Sequence, residues 1–377
     1  MWRLIIAVVL FFLSLLTVFK APTNFFWRVA VAVTEFPYIP LTATFILFFL
    51  FYRTSVFRLP SMAILTAALV LFSLPIVGAY VKNVELNKEF ASIFPAKQKV
   101  GELAQAFSFG KMFSGIGIVE VEPKTISYKK LGERDMSMDY YSVQTKDKLP
   151  CVIVIHGGSW QEGDSKQLSD LNSYLVHQGY NVAAINYRLA PLYRFPAPIE
   201  DTKDAINYLA QHSEELNIDT NNFVLLGRSA GGQIALLAGY TFHDPRIKGI
   251  ISFYAPADMA WGATIKANKL VLDVDAVFTA YLGGLIDEIP DVYEKATARN
   301  FVTKDSPPTL LIHGPTDALV SYHHSVRLEG ELRDKKVPYY FLSLPWATHG
   351  CDYNINGPSG QVSTYAVERF LNSVTKR

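Results

Sequence analysis

From Leu59 to Val81 the chain runs for 23 residues without a charged side chain. A helix needs about 20 mostly apolar residues to cross a bilayer, so this stretch must cross one or be buried on every side. Two shorter uncharged runs precede it, Leu4 to Phe19 (16 residues) and Phe36 to Tyr52 (17 residues). The second reaches spanning length if its helix extends back through Val29–Thr34, which leaves Pro37 and Pro40 inside it. The whole of residues 1–82 holds seven charges, six of them basic, leaving 29 basic and 33 acidic residues for the rest. We therefore expect a transmembrane region over 1–82, an N-terminal bundle of about three helices in a multi-pass protein. Two other readings stand beside it: two spans with a signal peptide or interfacial helix, and a buried bundle. With three spans, Arg3, Arg53 and Arg58 share one side, and Lys20, Arg28, Lys82, Lys88, Lys97 and Lys99 the other. Three against six leans toward a cytoplasmic large domain without fixing the side.

Residues 83–115 are mixed in character and read as a juxtamembrane helix or linker. Beyond about Ile116 the pattern changes. Ile126–Leu131 and Met136–Val143 resemble a hairpin. Then short apolar runs (Cys151–Ile155, Val182–Ile185, Phe223–Leu226, Gly249–Phe253, Thr309–Ile312) alternate with helical periodicity over Lys166–Gln178, Ile199–Gln211 and Gly231–Tyr240. Alternation of this kind implies an α/β domain over 116–377, with a mostly parallel sheet flanked by helices. Ligands bind at the carboxyl ends of such strands, so the residues just after each strand are the informative ones.

Gly227-Arg-Ser229-Ala-Gly231 follows one of those strands and precedes a helix. Flanking glycines permit a sharp turn that lifts the Ser229 hydroxyl above the sheet at a helix N-terminus; the Arg228 side chain is expected to point outward. His156-Gly157-Gly158-Ser159 follows another strand. Two adjacent glycines can bring backbone N–H groups close to a substrate, and with Ala230 they would supply an oxyanion hole. A serine nucleophile needs a base, and the base an orienting acid. Asp317, after Thr309–Ile312, and His349, after Tyr339–Leu344, stand in that order at strand ends. Among the competitors, His313 reads as part of a structural turn and His323 and His324 as solvated or packed. Asp305 lies at the opposite sheet edge, and Asp352 is too near His349 in sequence to face its Nδ1.

These motifs, with Tyr187-Arg-Leu-Ala-Pro191 and the Phe195–Asp201 stretch, resemble the α/β-hydrolase fold. Within it they are similar to the carboxylesterase branch related to hormone-sensitive lipase and to small acetyl or feruloyl esterases. The resemblance covers about residues 116–377. It implies Ser229 as nucleophile, His349 as base, Asp317 as its partner, and Gly157, Gly158 and Ala230 as oxyanion donors. Ser159 stands where the family's third glycine is usual, and the usual N-terminal lid gives way to the apolar helices. Asp201 is expected to brace a turn. Residues 257–306 exceed a simple crossover and read as a cap over the site or as a longer helix pair on the sheet.

The expected function is thus a membrane-anchored serine hydrolase of carboxylic esters, acting on small-molecule or lipid-like esters in contact with membrane lipids. Its chemistry calls for no metal and no organic cofactor. A formal charge of +1 argues against nucleic acid as a partner. Amide cleavage on the same triad, and a catalytically silent membrane scaffold, are the alternatives.

Overall fold

The computed structural model describes residues 2–52, 58–95, 104–132 and 134–375. Arg53, Lys97 and Lys99, counted above, lie outside them. The N-terminal part begins with α1 (Trp2–Ser14), closed by a 3-10 turn at Leu15–Thr17, and α2 (Asn24–Glu35). The Thr23 side chain caps α2 by accepting from Phe26 N–H. Then come α3 (Tyr38–Tyr52), α4 (Arg58–Ile93) and the short α5 (Lys111–Ser114).

Three spans are not what this geometry provides. Among the described residues one helix, Arg58–Phe90, is long and apolar enough to cross a membrane. α1 with its 3-10 turn is too short. α2 and α3 meet at 82°, because Phe36 precedes Pro37 and a residue before proline is driven out of the helical region. Pro40 is harmless in the first turn of α3, where its missing N–H has no partner to lose. Of the two readings of residues 83–115, helix or linker, 83–93 are helix, as α4 continues through them without a break.

The remainder alternates as expected: β1 (Lys124–Leu131), β2 (Arg134–Tyr141), β3 (Leu149–Ile155), α6 (Asp170–His177), β4 (Asn181–Ile185), α7 (Ala197–Gln211), β5 (Ile218–Arg228), α8 (Ala230–Thr241) and β6 (Ile247–Phe253). Residues 257–306 carry α9 (Met259–Thr264), α10 (Val274–Leu282), α11 (Pro290–Ala296) and a 3-10 turn at Ala298–Phe301. β7 (Thr309–His313), α12 (His323–Asp334), β8 (Tyr339–Ser343) and α13 (Pro358–Val374) follow. The sheet order is β1-β2-β4-β3-β5-β6-β7-β8. β1 and β2 pair antiparallel, β2 joins β4 antiparallel, and every other pairing is parallel.

Strand side chains point alternately to opposite faces, and both faces are buried. Ile153, Ile155, Phe223 and Leu225 pack under α7, α8, α12 and the 257–306 insertion. Val152, Val154, Val224 and Leu226 pack against α6, α13 and the second half of α4. Helix α4 therefore belongs to two bodies. Leu65, Ala68 and Phe72 pack among α1–α3, while Ile76, Ala79, Leu86 and Phe90 pack on the sheet.

Candidate active site

β5 ends at Arg228 and α8 begins at Ala230, so Ser229 alone makes the turn. Its φ is +53°, a conformation that costs an L-residue about 1–3 kcal/mol and persists only where the surroundings impose it. The flanking glycines do so. A Cβ on Gly227 would lie 2.1 Å from Gly231 O, and one on Gly231 would lie 2.2 Å from Ile155 O. The Ser229 N–H is tied down on Phe253 O at 2.9 Å. Arg228 does not point outward. It is buried over the Phe253 ring with its Nε on Asp352 Oδ2, and Tyr254 Oη donates to the other oxygen of that carboxylate. Asp352 is thus the counter-ion of Arg228 and takes no part at His349.

His349 lies beyond β8, with Nε2 3.0 Å from Ser229 Oγ and Nδ1 2.7 Å from Asp317 Oδ2. In the tautomer protonated at Nδ1, the hydroxyl donates to Nε2 and Nδ1–H donates to the carboxylate. Asp317 is buried and fully bonded. Oδ1 accepts the N–H groups of Leu319 and Val320, and Oδ2 also receives His313 Nε2 at 3.0 Å. Burial works to raise its pKa, but the His349 charge and the hydrogen bonds from both imidazoles outweigh burial and hold the carboxyl well below the usual range. His313 is more than a turn residue. Its Nδ1 meets Ser325 Oγ at 2.8 Å, so it bridges α12 to the acid.

The three expected N–H donors do not stand alike. Gly157 N–H is engaged by Gln167 Oε1 at 2.7 Å. Its glycine answers a different need, because a Cβ there would lie 3.1 Å from Arg228 O and 3.3 Å from Ser229 Cβ. Gly158 (φ +116°) makes the tight turn, where a Cβ would lie 2.0 Å from Glu162 O. Ser159, at φ +53°, faces the pocket with Ala230. The usual third glycine flagged that position without showing which amides face inward. His156 is scaffold, stacked on Tyr187 at 4.2 Å. Asp201 braces its turn, accepting from Arg188 N and Nε and from Lys129 Nζ.

Ser229, Ala230, Asp317 and His349 open onto a cavity of about 370 Å³, within the range of small-molecule sites. Its apolar wall comes from the 257–306 insertion, through Val271, Leu272, Val277 and Phe278. Trp160 stacks face to face on Tyr281 of α10, at 4.2 Å, and its Nε1 donates to Gln233 Oε1 of α8. The remaining wall was not foreseen. Lys20, Ala21 and Pro22, between α1 and α2, line the same cavity. Their loop is clasped to the insertion, with Asn24 N–H on Leu270 O, Asn24 Nδ2 on Val271 O and Asn268 Nδ2 on Pro22 O. The N-terminal helices and the site are therefore one structure.

A sequence model of the BD-FAE family matches residues 138–332. The chain is 29% identical over 239 residues to Esterase LipC of Mycobacterium tuberculosis, covering 60% of this chain and 58% of that protein. It is 27% identical over 243 residues to the probable carboxylic ester hydrolase LipM of the same organism, covering 60% and 54%. It thus spans little more than half the length of these curated relatives. Among solved structures, an acetyl ester-xyloside bifunctional hydrolase from Caldicellulosiruptor lactoaceticus superposes with a TM-score of 0.53 at 26% identity, over 61% of this chain and 88% of that one. A bacterial heroin esterase superposes with a TM-score of 0.59 at 21% identity, over 71% and 89%.

Proposed function

We propose that this chain, which belongs to the BD-FAE family and has the α/β-hydrolase fold, is a membrane-anchored serine hydrolase of carboxylic esters. One observation carries the reading: the unbroken hydrogen-bonded chain from Asp317 through His349 to Ser229, ending in an open cavity. Ser229 Oγ attacks the ester carbonyl while His349 Nε2 takes its proton. The amides of Ser159 and Ala230, with Gly158 behind them, receive the developing oxyanion; a single donor of this type is worth about 100- to 1000-fold in rate. His349 then returns the proton to the departing alcohol, and water cleaves the acyl-enzyme by the same route. Asp317 keeps the imidazole in the working tautomer and balances its charge.

The names of the relatives, esterases and carboxylic ester hydrolases, support ester bonds as the target. The apolar cavity wall and the apolar helices beside it support small or lipid-like esters. The apolar length of α4 supports a membrane anchor. The test uses the full chain in detergent. Ser229→Ala should lower p-nitrophenyl butyrate turnover by a factor on the order of 10⁶ and abolish fluorophosphonate labelling. Retained turnover in a folded variant rejects Ser229 as nucleophile.

A further inference from the structure

We propose that Trp27 is a positioning residue for the base, and that α2 clamps the loop carrying His349 at both of its ends. The inference rests on His349 acting as that base. Trp27 Nε1 donates to the backbone carbonyl of His349 at 2.9 Å. Its indole stands edge-on to the imidazole, with ring centroids 6.3 Å apart. The next residue is Gly350, at φ +79°, with no atom beyond its chain neighbours within 4 Å of where a Cβ would be. A glycine adopts this conformation without the strain of a Cβ, and here its carbonyl closes a turn by accepting Tyr353 N–H at 3.0 Å. The hydrogen bond from Trp27 therefore fixes the His349 carbonyl just before this turn, which restricts the His349 ψ and with it the aim of the ring.

Two helical turns later, Glu35 grips the far end of the same loop. Its carbonyl accepts Asn354 Nδ2 at 2.9 Å, and its buried Oε2 accepts Ser359 N–H at 3.2 Å. The fit is close, since a Cβ on Gly357 would lie 2.7 Å from both Glu35 oxygens. One helix of 12 residues thus spans the loop from His349 to Ser359 and binds it at each end. Neither grip lies within residues 138–332, so the family match covers neither α2 nor the loop it holds. A nucleophile–base pair at 3.0 Å has little tolerance: a misplacement of about 1 Å can cost a hundredfold in rate.

Trp27→Phe keeps an aromatic ring in place and removes the donor. In the full chain in detergent, with rates expressed per fluorophosphonate-titrated serine, we expect kcat on p-nitrophenyl butyrate to fall about tenfold or more. KM should stay within about twofold. Asn354→Ala, at the other end of the clamp, should shift kcat in the same direction with KM again held. A purely structural role would instead lower the titratable fraction and leave kcat per site intact. That result overturns the proposal, as does a Trp27→Phe kcat equal to that of the parent. His349→Ala separates this inference from the one beneath it. Full activity in that variant defeats the base assignment, whereas a parent that needs His349 and ignores Trp27 defeats only the clamp.

Discussion

His324 sits at the cavity wall without touching the Ser229 hydroxyl, and its surroundings define it as a neutral imidazole. Asp258 N–H donates to its Nδ1 at 3.3 Å, the Trp261 ring stands edge-on at 4.9 Å, and the Arg327 guanidinium lies over that same indole. Burial, helped by the charge of His313, pushes its pKa down to about 3. Between about 3 and its ordinary value of 6.5 the unfolded chain binds a proton that the folded chain refuses, so this contribution to stability is complete above about pH 6.5 and is lost as pH falls toward 3. His324→Gln should flatten the fall in melting temperature between pH 7 and pH 4. An unchanged slope, measured by circular dichroism in one detergent, counts against this residue as the sensor. The convergence of Ser229, Asp317 and His349 was legible because each follows a strand, and strand ends are readable from apolar runs. Arg228 was not. Its burial depends on Asp352, 124 residues away, and no local pattern announces a partner so distant. The Gly157–Ser159 turn was legible as a place only, because no local pattern shows that Gln167 takes the Gly157 N–H.

At the scale of elements, α4 does most to shape the molecule. Its apolar run was plain in the sequence, but its continuation past Lys82 was not, because the charges at Lys82, Glu85, Lys88 and Glu89 look like the end of a membrane segment. Three-dimensional packing overrides that signal. Leu86 and Phe90 turn into the sheet-facing core, and Phe90 meets the Tyr340 ring edge-on at 4.9 Å. A close approach is at Gly78, where a Cβ would lie 2.3 Å from the Trp346 ring. That ring cannot swing aside, because it is buried and its Nε1 donates to Ser359 Oγ at 2.9 Å. Gly78→Leu therefore overpacks the joint between the helical part and the α/β domain, at a cost of about 1–3 kcal/mol. A lower melting temperature than the parent is expected; one equal to or above it would mean the joint is looser than this packing implies. The hairpin β1–β2, the parallel strands and the helices between them came out close to their expected ranges, since each has its own periodicity. The bend between α2 and α3 required reading Phe36-Pro37 as a break rather than a tolerated kink.

At the scale of the whole molecule, the apolar bundle and the mouth of the cavity at Ser229 are neighbours, because the loop joining α1 to α2 belongs to both. Ile5, Val9 and Phe12 on α1, Phe45, Ile46, Phe49 and Leu50 on α3, and Val70 and Val77 on α4 are all exposed. Soluble monomers rarely leave apolar surface on that scale uncovered. Phe25 and Leu270, at 68% and 71% exposure, continue it beside the loop residues Lys20–Pro22 that line the cavity. A bilayer covering the bundle would bring hydrocarbon to the cavity's edge, the arrangement an ester dissolved in lipid would need. Membrane attachment can be separated from catalysis by charging an apolar face that takes no part in the site. Ile46→Asp, Phe49→Asp and Leu50→Asp together put three carboxylates on α3, where contact with hydrocarbon would be costly for each. The parent should float with phosphatidylcholine vesicles and resist carbonate extraction, whereas the triple variant should be released or bind far more weakly. Parent protein that stays in solution without vesicles would reject the anchor. The hydrogen-bonded chain at Ser229 would then have to be read with another protein surface, rather than lipid, covering α3.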